Sequence, residues 1–353
     1  MEVPRFFPEE TVAGCLFGLA LGDALGAPTE FLSVAEILRR WPPDGPPEPP
    51  GSTARVTDDT QMALAVGEAI LYALRTGSLS AAATEPQLRQ TFIEWLEAPE
   101  TPSKAPGNTC LAACRRLRAG QPWLESTVIG SKGCGANMRV APVGLLAGVD
   151  ETIRSGLAQF QAALTHGHPT ALAASDLTAR AVWDLAGGGD PDNLPERLAA
   201  YARAARSTYH LEWLGELWRA SGASSPAAFI ESGWDECLRQ LGRVAQALKA
   251  GDRQTAPCLL TGAGWVAEEA FGTALFCFLS FPDEPVQVLR RAAVTSGESD
   301  SIACIAGALA GARHGAAAWP AEWVGRVEYR RRIEGLIHGL SPSGRVSGTE
   351  TVF

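Results

Sequence analysis

The sequence predicts an all-α fold, and three observations carry that expectation. Long segments place apolar residues at helical spacing, alternating strand patterns are scarce, and glycines recur every four residues in two of the most apolar segments. The chain has 353 residues, 46% of them hydrophobic and 20% charged, which is enough for a large core. Thirty-seven Gly against 7% aromatic residues suit closely packed helices better than bulky layered sheets.

The first helix is expected over 10–23, with Gly14, Gly18 and Gly22 in register and Gly26 following. An isolated helix Gly costs about 1 kcal/mol against Ala, so four in one stripe imply that another backbone approaches closely. Gly307, Gly311 and Gly315 make a second stripe, and the two glycine-rich helices are expected to be central neighbours. The segment Pro42-Pro43-Asp44-Gly45-Pro46-Pro47-Glu48-Pro49-Pro50 cannot be helical and reads as a stiff loop, in the position of an active-site rim. Further helices are expected at 62–74, 85–96, 110–117, 151–164, 170–185 and 194–205. Others follow at 211–220, 234–250, 268–279, 285–295, 302–312 and 326–340. With no clean linker, residues 1–340 read as one compact domain and 341–353 as a flexible tail.

Composition narrows the function classes. A formal charge of −9 argues against a broad nucleic-acid-binding face. Eight scattered cysteines without CxxC spacing read as reduced core thiols, not as a zinc or redox site. The N-terminus lacks the pattern of a signal peptide, and no stretch reaches transmembrane length without polar interruption. A cytoplasmic monomer is expected.

Two acidic clusters carry the chemistry. Thr57-Asp58-Asp59-Thr60 and Glu298-Ser299-Asp300-Ser301 each run straight into an apolar helical segment. Hydroxyls and carboxylates at helix starts are ordinarily caps. If the two starts converge, however, up to four carboxylates meet around one point and require cations. Their hard oxygen donors suit Mg²⁺, Mn²⁺ or Ca²⁺ better than zinc. Asp23, in an apolar segment, is expensive to bury alone and is expected to brace a neighbouring loop. Gly130–Arg139 is the best phosphate-loop candidate, with Ser131 and Lys132 as side-chain donors, although a tight turn explains its spacing equally well. Asn108 or Thr109 is expected to cap the next helix. In Thr165-His166-Gly167-His168, one hydrogen-bonding His is favoured over a metal site.

Taken in order, these segments resemble the ADP-ribosylglycohydrolase family. The matching pieces are Gly18-Leu19-Ala20-Leu21-Gly22-Asp23-Ala24-Leu25-Gly26, Glu30, Thr57-Asp58-Asp59-Thr60, Gly107-Asn108-Thr109, the 130–139 loop, Thr165-His166 and Ser299-Asp300-Ser301-Ile302-Ala303. The resemblance implies a compact all-α orthogonal bundle with two Mg²⁺ or Mn²⁺ ions at the base of an ADP-ribose cleft. By that resemblance Thr57, Asp58, Asp59, Glu298, Asp300 and Ser301 would ligate metal, with Asp58 and Asp59 also serving catalysis. Glu298 stands where the family more often has Asp, which puts metal preference in question. Ser131, Lys132, Gly133, Cys134 and Gly135 would contact the diphosphate, Asn108 and His166 other parts of the ligand, and Glu30 would sit by the scissile bond. The implied activity is hydrolysis of the bond between ADP-ribose and a protein or small acceptor, with arginine favoured. Serine-linked or O-acetyl-ADP-ribose, and a non-catalytic crystallin-like relative, stand as alternatives. Ala105 occupies a place where arginine-directed members often carry an acid.

Overall fold

The computed structural model describes residues 6–342, and among these it is helical almost throughout, with only isolated β-bridges. Thirteen helices have seven or more residues: α1 Glu9–Gly26, α2 Val34–Arg40, α3 Asp58–Arg75, α4 Ala81–Glu97, α5 Asn108–Arg118, α6 Glu151–Ala163, α7 Pro169–Ala186, α8 Leu194–Ala205, α9 Pro226–Ala250, α10 Ala267–Ser280, α11 Pro285–Ala293, α12 Ser299–His314 and α13 Arg330–Leu340. The described chain stays packed to its end, since Ser341 is buried, while 343–353 of the expected tail lie outside the described residues.

The glycine stripes set the centre of the fold. A Cβ on Gly14 would lie 2.4 Å from the Gly311 carbonyl oxygen, one on Gly18 2.2 Å from that of Gly307, and one on Gly22 2.0 Å from that of Ala303. Rising numbers on α1 meet falling numbers on α12, so the two helices run antiparallel with their backbones in contact. At the last step Gly26 abuts Ser299 and Asp300. Gly26 thus brings the C-terminal end of α1 onto the first turn of α12. Both helices are buried along nearly their whole length, which explains why neither shows a polar face.

Four readings of the sequence change. The helix expected over 211–220 is two short helices, Leu211–Leu214 and Leu217–Ala220, broken at Gly215 with φ +48°. The helix expected from 326 starts at Arg330, after Tyr329 at φ +56°. The helix α2 was not expected, although Ser33 and Glu36 form a capping box that its spacing announces. The proline-rich loop is not a rim of the acidic cleft. Pro43 and Asp44 instead wall a separate pocket beside α2 and α11.

Candidate active site

Three helix ends meet. Asp23, near the end of α1 and fully buried, accepts hydrogen bonds from the Thr57 amide (3.0 Å), the Thr60 amide (3.1 Å) and the Thr60 hydroxyl (2.5 Å). Burial raises its pKa to about 7, partly offset by these bonds. The expected brace is therefore present, and it holds the start of α3. Thr57 caps that helix by accepting from the Asp59 amide at 3.3 Å, and its hydroxyl donates to Asp59 Oδ2 at 3.2 Å. The Gly107 amide donates to Asp58 Oδ2 at 3.3 Å.

The start of α12 is built differently. Gly297, at φ +112°, turns the chain, and the Glu298 amide donates to the Ala263 carbonyl at 3.0 Å. No side chain caps the helix. Thr29 donates to the Ser299 hydroxyl (2.9 Å), which donates to the Gly26 carbonyl (3.1 Å), locking this turn to α1. Ser301 points its hydroxyl at the sulfurs of Cys134 and Met138, 3.7 Å from each.

Between these ends lies a cleft of about 300 Å³. Glu30, Asp58, Asp59, Glu298 and Asp300 all line it. Glu30, Glu298 and Asp300 each offer an oxygen within 4.8 Å of the others. Glu30, which the resemblance puts beside the scissile bond, hydrogen-bonds Asp300 and joins the acidic group. Burial, then the Asp300 and Glu298 charges, push Glu30 up to about 10. Burial and Asp300 likewise hold Glu298 near 7 and Asp58 and Asp59 well above the usual carboxylate range. Asp59 Oδ1 is buried and has no hydrogen-bond partner. An orphaned carboxylate oxygen among crowded acids is a poor protein-only arrangement, and hard oxygen donors of this kind fit a divalent cation.

The 130–139 loop contributes unevenly. Gly133, Cys134 and Gly135 line the cleft, as do Asn108 and His166. A Cβ on Gly133 or Gly135 would come within 3.3 or 3.2 Å of the His166 ring, so both glycines leave room for the imidazole. Burial and Arg139 lower the His166 pKa to about 3, and its Nδ1 pairs with the Thr165 hydroxyl at 2.8 Å. Thr165 in turn accepts from Arg139, itself fully buried. The Cys134 amide already donates to the Trp265 carbonyl at 3.3 Å, and its thiol faces Glu298 at 3.3 Å. Asn108 does not cap α5, because Gly107 occupies the cap position and no side chain caps it.

Ser131, Lys132, Thr57 and Ser301 stand outside the cleft lining. Lys132 lies between Glu236 (2.7 Å) and Glu268 (2.6 Å), which tie the loop to α9 and α10. Ser131 shares a hydrogen bond with the Thr109 hydroxyl at 2.9 Å. Sequence reasoning missed the aromatic pair at the mouth, Phe31 and Trp265. Their rings stack at 5.7 Å, and both are exposed. Apolar residues read as core from sequence, so only the exposed rings reveal this role.

Residues 7–349 match the ADP-ribosylglycohydrolase family. The ADP-ribosyl-[dinitrogen reductase] glycohydrolase of Rhodospirillum rubrum is 31% identical over half of this chain and 58% of its own length. Bovine ADP-ribosylhydrolase ARH3 is 26% identical, covering 93% of this chain and 91% of its own. The ADP-ribosylarginine hydrolase Tri1 of Pseudomonas putida is 26% identical over 93% of this chain and 76% of its own. A solved structure titled ADP-ribosylglycohydrolase-related protein complex superposes with a TM-score of 0.63 at 23% identity, covering 96% of this chain and 99% of its own, and shares the fold. The all-α scaffold, the convergence of the two acidic helix starts and the match across nearly all of the sequence make this chain a member of the ADP-ribosylglycohydrolase family, a glycosidic-bond hydrolase.

Proposed function

We propose that this enzyme releases ADP-ribose from arginine side chains of modified proteins, using divalent cations held in the acidic cleft. The observation that carries the reading is the orphaned, buried Asp59 Oδ1 in a cleft lined by Glu30, Asp58, Glu298 and Asp300. Asp58, Asp59, Glu298 and Asp300 would hold Mg²⁺ or Mn²⁺, with two ions as the expected complement. When bound, such cations supply Lewis acidity and a positive field in a protein of net charge −9.

The chain's own residues perform the remaining work. Hydrolysis breaks the bond from the anomeric carbon to the acceptor nitrogen, water oxygen takes its place, and the leaving group gains a proton. Glu30, partly buried beside Asp300, hands over that proton, and Asp58 or Asp59, which bound cations would keep ionised, accepts one from the incoming water. Ala105 lines the cleft at φ +52° and has no proton to give, which leaves the task to Glu30. Gly133, Gly135 and His166 hold the nucleotide part of the substrate, and Phe31 and Trp265 limit entry of water at the mouth.

The name of the Pseudomonas relative, ADP-ribosylarginine hydrolase, supports arginine as acceptor. Side-by-side hydrolysis of arginine-linked and serine-linked ADP-ribosyl peptides tests the choice. Faster release from arginine, reduced ~10²–10⁴-fold by Glu30→Gln, is the expected result. Release from serine alone would overturn the acceptor and leave the family untouched.

A further inference from the structure

A second pocket, of about 380 Å³, has the opposite character from the acidic cleft and shares no lining residue with it. Three arginines line it: Arg253, Arg290 and Arg291. Among the described residues none of them pairs with a carboxylate. Arg253 lies over the Phe281 ring at 5.0 Å. Arg290 donates twice to the Pro47 carbonyl, at 3.0 and 2.7 Å. Arg291 donates to the Thr255 carbonyl, is 8% exposed, and keeps its Nε buried without an acceptor.

The counter-charges nearby are few. Asp44 is the one carboxylate on the wall. Asp252 lies close to Arg291, but its carboxylate turns back to accept the amides of Gln254 and Thr255 at 2.8 and 2.9 Å. Three guanidinium groups against one wall carboxylate reverse the sign of the whole chain, which is −9. Among the described residues Arg253 has only a ring contact and Arg290 only the Pro47 carbonyl, so guanidinium donors on this wall remain for an anion. Planar guanidinium forks match phosphate oxygens two at a time. The remaining wall includes Leu38, Phe281 and Val294, which suit an organic body better than a bare ion. The volume lies in the range of small-molecule pockets.

We propose that this pocket is an organic-phosphate site, distinct from the acidic cleft, that takes a nucleotide-sized phosphate ester. It is held by the two ends of the site-bearing segments. Val34 begins α2 four residues after Glu30, and Val294 precedes Glu298 by four.

The test is calorimetric titration of the full chain with AMP and with inorganic phosphate in chelator, so that the acidic cleft holds no divalent ion. AMP should bind at least as tightly as inorganic phosphate, and Arg253→Gln with Arg290→Gln should weaken it at least tenfold. Gly133→Val, which alters the cleft, should remove any AMP held there and leave the arginine-dependent binding unchanged. If the double variant misfolds, Arg253→Glu at an exposed position must produce the same loss. Three results would overturn the proposal: no AMP binding to the wild type, loss of binding in Gly133→Val with the arginine variants unaffected, or tighter binding of inorganic phosphate than of AMP. Affinity that climbs with oligonucleotide length would replace the small ligand with a nucleic acid and also overturn it.

Discussion

The two acidic helix starts look alike in sequence and are built in opposite ways. The backbone at the start of α3 is braced, although Asp59 Oδ1 finds no hydrogen-bond partner among the described residues. Thr57 caps it, Asp23 takes two of its amides and a hydroxyl, and Gly107 serves Asp58. The start of α12 has no side-chain cap, and Asp300 accepts from the neighbouring Ser301 amide and from Glu30. Ser299 hydrogen-bonds the Gly26 carbonyl at the end of α1, and Gly26 packs against Ser299 and Asp300. The protein holds the backbone of one start firmly and that of the other less so, while the carboxylates of both crowd one cleft until something neutralises them. A binding site made this way needs a rigid half for geometry and an electrostatically frustrated half for affinity.

The largest expected effect tests the frustrated half. Asp300→Asn should lower the hydrolysis rate by more than about 10³-fold, several kcal/mol of transition-state stabilisation. It should also abolish the thermal stabilisation by Mg²⁺ or Mn²⁺, which linkage puts at about 2.7 kcal/mol when free metal is 100 times its dissociation constant. Hydrogen exchange sharpens the contrast, because metal should protect the amides around Glu298–Ser301 more than those around Thr57–Thr60. Equal protection at both starts would erase the distinction.

Breaking the rigid half should have a smaller, structural effect. Asp23→Asn replaces a carboxylate oxygen with an amide donor facing donors, and it should destabilise the fold by about 1–3 kcal/mol in urea titrations. Metal affinity should fall with it, since Thr57–Thr60 lose their brace. Unchanged stability would show that the start of α3 holds itself.

The smallest effect concerns His166. A base whose pKa drops from 6.5 to about 3 on folding binds fewer protons in the folded state. Its contribution to stability is complete above pH 6.5 and is lost as the pH falls from there toward 3. Between pH 7.5 and 5, the wild type should lose up to about 2 kcal/mol more stability than His166→Gln. Parallel pH profiles for the two proteins would show that the ring is not held neutral beneath Gly133 and Gly135.

Much of the fold was legible because it rests on short-range physics. The apolar periods around Met62, Leu157 and Phe271 placed α3, α6 and α10 to within a few residues at most ends, and the Ser33–Glu36 capping box was present to be read for α2. The donor chemistry of the site was equally legible, since two acidic helix starts in one apolar chain have few explanations. Lys132 was misplaced because a lysine beside glycines looks the same in sequence whether it meets a phosphate or two glutamates. Gly133 and Gly135 were recognised as necessary, but the Cβ they exclude belongs to the space of His166.

By itself the sequence determined most of the helical segments, which two of them pack backbone to backbone, and that hard oxygen donors gather at two helix starts. These follow from periodicity, residue volume and donor type, all of which act within a few residues. The tertiary structure alone decided that Glu30 joins Glu298 and Asp300, that Asp23 braces α3, and that three arginines from distant segments wall one pocket. Those outcomes depend on the register in which α1 slides along α12. Gly14, Gly18, Gly22 and Gly26 fix that register only when they meet Gly311, Gly307, Ala303 and Ser299 in space.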